Sequence, residues 1–304
     1  MNKRIMFLLV LIITGASICP ALARDPGTPA EPETTSAKSL FSFKTDDREP
    51  LFGDRFTLKA GYKIWVAKWQ AQQAATTTGA QTQTNSDHPS AMNGPTVTGI
   101  VKLRDADKLF HSLVFNFTWL YGGFDFAEQS ATGNHFYANR RDYTLTAALA
   151  IWEGFGVFGG YYNSHQEFTD NPNVGGAFAP FRYPRTLDGP IIGIFGNVPV
   201  TERVGIYGNL AYAQLKFEGI CFQSNLCAQT DSAQGYMNEL GVTISGPRVW
   251  EIGTELQMGF RVQIVQKNFG INATGGGGPG TNSTNQQPLL DVTYGPIFAV
   301  NAVF

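Results

Sequence analysis

The chain has 304 residues, of which only 15% are charged and 13% aromatic, with 34 glycines and a net charge of −2. An average soluble protein carries roughly 25% charged residues, so this balance is odd for a cytosolic enzyme, excludes an electrostatic nucleic-acid binder, and suits a β-rich protein that turns aromatic rings toward lipid. Mean hydropathy is slightly negative, which excludes a bundle of spanning helices, each needing about 20 consecutive apolar residues.

The N-terminus reads as an address. Lys3 and Arg4 precede an apolar run from Ile5 to Ile13, and Ala21-Leu22-Ala23 supplies a small-x-small cleavage pattern. Residues 1–23 are therefore predicted to be a cleaved secretory signal peptide. Residues 24–54 hold Pro26, Pro29, Pro32 and Pro50 among polar residues, the composition of an extended, flexible periplasmic lead-in. Its one apolar patch is Leu40-Phe41-Ser42-Phe43.

From Arg55 the pattern alternates with period two, which points successive side chains to opposite faces of a strand. The alternation is clear in Phe56–Ile64 and cleanest in Ile252–Ile264, where Glu255, Gln257, Arg261 and Gln263 share one face and the other is almost wholly apolar. Ten such segments are predicted, at about 55–70, 95–104, 109–122, 140–152, 154–163, 187–199, 202–218, 233–246, 250–265 and 290–304. Tight turns alternate with long polar connections at 71–94, 123–139, 164–186, 219–232 and 266–289. Tight turns on one side and long loops on the other predict an all-β fold over residues 55–304: a transmembrane antiparallel up-and-down barrel of about ten strands, with short periplasmic turns and long extracellular loops. A sheet in lipid must close so that no backbone group is left unpaired. Aromatic residues near strand ends suit the interfacial girdles: Trp152, Phe155, Trp250 and Phe304 beside the short turns; Trp65, Trp69, Trp119, Tyr121, Tyr161 and Tyr212 toward the long loops.

The last segment places Tyr294, Phe298, Val300, Ala302 and Phe304 on one face. It resembles the C-terminal strand of Gram-negative outer-membrane β-barrel proteins, a small porin-like barrel by size. That resemblance implies recognition by the barrel-assembly machinery, location in the outer membrane, and contact with its lipid and lipopolysaccharide. Pro296 sits where a ladder donor is usual, which predicts a bulge or a weakened local pairing.

The inward face is predicted to carry Lys59, Lys63, Lys102, Asn116, Asn209, Glu239, Glu251, Glu255, Gln257, Arg261 and Asp291, with Trp65, Phe158, Tyr162 and Tyr207 taking up volume beside them. These residues suit a solute-selecting lining and a salt-bridged plug about equally, since ten strands lie near the number that side chains just fill. Pairing through Gly246-Pro247 is expected to set Glu239 opposite Glu255 or Gln257, with Arg261, Lys59 or Lys63 as the balancing cations.

Cys221 and Cys227 lie close together in a long connection and are expected to form a disulfide, adding about 2 kcal/mol. No metal site or cofactor is expected. Asp87-His88, Asp125, His135 and Ser164-His165 bear a superficial likeness to the sites of omptin-like proteases and outer-membrane acyl hydrolases, but none has the required spacing. The chain is expected to be non-enzymatic. Narrow passage of small solutes leads, with a closed structural or surface-interaction barrel as the alternative and an extracellular ligand unknown.

Overall fold

The computed structural model describes residues 55–74, 81–103, 110–127, 135–152, 154–170, 182–219, 231–248, 252–269 and 287–304. The signal peptide, the lead-in, Cys221, Cys227 and Glu251 lie outside the described residues. Everything described belongs to one compact unit, Lys38–Phe304.

The strands are β1 (Phe56–Ala74), β2 (Gln81–Ser86), β3 (Ser90–Lys102), β4 (Ser112–Ala127), β5 (His135–Trp152), β6 (Phe155–Asp170), β7 (Arg182–Pro199), β8 (Val204–Gly219), β9 (Asp231–Ser245), β10 (Gly253–Phe269) and β11 (Gln287–Val303). Each pairs antiparallel with its neighbours, and β11 returns to β1 from Lys59↔Val303 to Gln70↔Val292. β2 and β3 occupy one stave, both lying between β1 and β4. The result is a closed barrel of ten staves with no free edge.

The stave shared by β2 and β3 carries a bulge. Gln70 faces Asn85 while Ala67 faces Ser90, so Asp87-His88-Pro89 put extra chain into one side of the ladder. Two bonds cover the irregularity: Trp69 N–H donates to Ser86 Oγ at 3.0 Å, and Asp87 N–H to the Asp125 carbonyl at 2.9 Å.

Strands run further than their alternation suggests. Much of 71–94 is β-structure, and β4 through β11 extend into stretches assigned to loops, including Asp125, His135 and Ser164-His165. Gln81-Thr82-Gln83-Thr84 shows why: a strand that is polar on both faces leaves no period-two signal, yet its backbone continues the ladder.

Outside, the wall is apolar and aromatic. Tyr62, Phe115, Phe117, Trp119, Tyr161, Ile192, Leu240, Phe260, Phe298 and Val300 are all exposed. Trp119 stacks on Tyr143 at 6.1 Å, and Tyr212 meets Tyr236 edge-on at 5.5 Å. Tyr62 and Tyr161 donate outward hydrogen bonds to Asn93 and Asp188, which suits rings lying between an apolar layer and water. Trp65 and Trp69 are corrections to the girdle expected from sequence: they share parity, and both rings are wholly buried inside.

At the seam, β10 pairs with Gly295 and Pro296 without interruption, but the β1 ladder skips Val66 and Ala67 between Trp65↔Ile297 and Lys68↔Tyr294. Proline has no N–H to give. Gly295 (φ 157°) closes the gap by close approach: a Cβ there would lie 1.9 Å from the Val66 carbonyl oxygen.

Candidate functional site: the barrel lumen

The inward residues divide into two zones. The terminal end is where β1 begins and β11 finishes; the other is the far end. In the far half, apolar side chains fill the lumen. Trp65, Trp69, Met92, Leu120, Phe124, Phe126, Ala138 and Ile297 pack as one cluster. Tyr162, Leu187, Ile191, Leu215, Phe217, Met237 and Val265 belong to a second. Trp69 meets Phe124 and Phe126 edge-on at 5.2 and 5.3 Å.

A polar knot sits among these rings. Arg140, 1% exposed, donates from Nε to Asp142 Oδ1 at 2.9 Å and from Nη2 to Oδ2 at 2.7 Å. Nη1 reaches Thr293 Oγ1 at 2.7 Å, and Nη2 also reaches Gln263 Oε1 at 2.8 Å and Tyr162 Oη at 3.2 Å. Gln263 Nε2 donates to Tyr162 Oη at 2.7 Å. The guanidinium lies 5.8 Å from the Trp65 ring centroid and 5.3 Å from that of Trp69, within cation–π range. Arg140 and Asp142 escape a reading of the clear alternation alone. Carrying the parity of Thr144 and Thr146 back along β5 would have found both.

In the terminal half there is a cavity of about 300 Å³. From β3, β4 and β5 it is lined by Thr96, Thr98, Asn116, Thr118, Thr144 and Thr146; from β1 and β8 to β11 by Lys59, Lys63, Tyr207, Glu239, Glu255, Gln257, Arg261 and Asn301. Lys59 Nζ meets Glu255 Oε2 at 2.6 Å, and Lys63 Nζ meets Glu239 Oε1 at 3.4 Å. Glu255 Oε1 also accepts from Gln257 Nε2 at 2.8 Å and Asn301 Nδ2 at 3.2 Å. Tyr207 Oη donates to Glu239 Oε1 at 3.0 Å. Its ring lies over Gly241 and Gly259, where a Cβ would fall 2.7 Å from Tyr207 Cε1 and Oη respectively.

The register departs from the expected one. Ser245 faces Glu255 and Gly246 N–H donates to the Thr254 carbonyl, so the hairpin loop is longer than a Gly246-Pro247 turn. Glu239 consequently sits opposite Arg261, with Asn209 on its other side, and not opposite Glu255 or Gln257. Two carboxylates are kept apart, each with its own lysine.

Of the other residues picked out from sequence, Asn116 and Asn209 line the cavity. Lys102 ends β3 opposite Ser112 at the terminal rim, away from the cavity lining. Asp291 is buried on the inner face of β11, level with Val265 in the far half. Ser164 is buried inward, whereas His165 bonds Thr186 Oγ1 through Nδ1 at 3.2 Å, so neighbours of opposite parity make no Ser–His pair. Among the described residues no group of three or more His, Cys, Asp or Glu could hold a metal.

The sequence matches no protein-family model and no curated protein. Among solved structures, the outer-membrane protease OmpT of Escherichia coli is similar at TM-score 0.43 and 11% identity, over 86% of this chain and 99% of that one. The translocator domain of the autotransporter NalP of Neisseria meningitidis is similar at 0.42 and 12%, over 83% and 88%. A FadL homologue of Pseudomonas aeruginosa is similar at 0.32 and 8%, over 83% and 91%. Such values carry no information about activity.

Proposed function

We propose that the protein is an integral outer-membrane barrel closed at rest, with its terminal end toward the periplasm and a polar vestibule opening there. Membrane insertion is supported by the exposed apolar exterior around a closed ladder, the one sheet arrangement lipid tolerates. Closure is carried by a single observation: Trp65, Trp69, Arg140 and Tyr162 meet in one fully buried layer. A wet pore would leave such groups hydrated. On this reading the far rim is where surface interactions take place, and no catalytic constellation is assigned.

Planar-bilayer recording of the refolded full chain tests it. The expected result is no steady current; a stable open-channel conductance from the wild-type protein overturns closure. A narrow solute channel is the second reading, favoured by the cavity. It requires the Arg140 layer to move, so its signature is conductance that appears in Arg140→Ala and is absent from the wild type.

A further inference from the structure

We propose that the vestibule is a binding site for a small hydroxylated monocarboxylate, a sugar-acid type of solute, with Arg261 as the group that receives the carboxylate. A blind barrel and a pore would both keep this wall, so the inference stands apart from whether the lumen conducts.

The argument starts from an imbalance. The cavity lining holds three cations, Lys59, Lys63 and Arg261, and two carboxylates, Glu239 and Glu255, leaving one positive charge in excess. Each carboxylate is already engaged, Glu255 by Lys59, Gln257 and Asn301, and Glu239 by Lys63 and Tyr207. Arg261 lies opposite Glu239 on the neighbouring strand and feels its charge, but it is the one of the three cations that hydrogen-bonds neither carboxylate. It is 8% exposed and its guanidinium lies 4.8 Å from the Trp65 centroid. Among the described residues it makes neither a hydrogen bond nor an ion pair.

A largely buried guanidinium that no protein group hydrogen-bonds is unusual for a purely structural wall. Stacked on an indole and lining a cavity, it presents the planar fork that takes a carboxylate through two parallel bonds. One surplus charge matches a monoanion better than a dianion.

The β3–β5 side of the cavity supplies the rest of the ligand's chemistry. Thr96 and Thr118 hydroxyls pair at 3.0 Å, and Asn116 Nδ2 donates to Thr98 Oγ1 at 2.7 Å. The hydroxyls of Thr144 and Thr146 make no hydrogen bond among the described residues. Hydroxyls that both donate and accept suit a polyol tail. A volume of about 300 Å³ lies at the small end of the range for ligand pockets, which sets the size class.

Calorimetric titration of the refolded full chain in detergent with gluconate tests the assignment, with glucose and inorganic phosphate as comparison probes. Gluconate should bind, glucose hardly at all, and phosphate more weakly. Arg261→Gln should weaken gluconate about tenfold or more, the loss of a charge-assisted pair. If that variant does not fold, Asn116→Asp carries the test: it sets a negative charge across the cavity and should also weaken gluconate about tenfold. No gluconate binding to the wild type overturns the proposal. So do equal affinities for glucose or phosphate, or unchanged gluconate affinity in a folded Arg261→Gln or in Asn116→Asp.

Discussion

A guanidinium buried among tryptophans needs hydrogen-bond partners, and all three Arg140 nitrogens find them, on β5, β6, β10 and β11. Removing it strands Asp142 in an apolar surrounding. Arg140→Ala should therefore destabilise the barrel by about 3–5 kcal/mol, measured by urea unfolding in vesicles. The double variant Arg140→Ala/Asp142→Ala should cost less than the sum of its parts, because neither charge is left alone; strict additivity would show that the pair is not coupled. Glycines separate in the same assay. Gly295→Ala forces a Cβ into the Val66 carbonyl and should cost about 1–3 kcal/mol. Gly159→Ala, whose new methyl would meet only the Ile191 oxygen at 3.8 Å, should be within about 0.5 kcal/mol of wild type.

At the scale of strands, what was legible was parity, and what was not was register. Alternation alone puts Lys59, Glu239 and Glu255 on the inner face, because side-chain direction is a local property of extended backbone. Which of them meet depends on how many residues the hairpin takes to turn, and Pro247 suggests a shorter turn than the one formed. Polar strand ends were invisible for a related reason: Gln81–Ser86 is held by β1 and β4, not by any preference of its own. The closing pair of strands gives a prediction at this scale. Phe304 N–H donates to the Leu58 carbonyl at 2.8 Å, and Leu58 N–H to the Phe304 carbonyl at 3.2 Å. Deleting Phe304 removes both bonds, a net cost of about 0.5–1.5 kcal/mol each, and with them an outward ring. Less assembled barrel should accumulate in membranes; wild-type levels would remove Phe304 from any role in closure.

For the whole molecule, the continuous ladder from β1 round to β11 means that no strand can peel away without breaking bonds on both sides. The folded protein should resist detergent until heated, running at different positions on gels before and after boiling; a single position at both temperatures would argue against a closed sheet. The division of the lumen into a polar half and an apolar half also has an electrical side. If the vestibule opens to one compartment as proposed, it stays near that compartment's potential, and an applied voltage falls mainly across the apolar far half around Trp65, Trp69 and Arg140. A ligand at Arg261 sits outside the field, and its affinity should not change with voltage. Arg140 and Asp142 sit inside it, where each charge feels up to about 2.3 kcal/mol per 100 mV, in opposite senses. The barrel is in that respect a capacitor whose dielectric contains a buried ion pair, Arg140–Asp142.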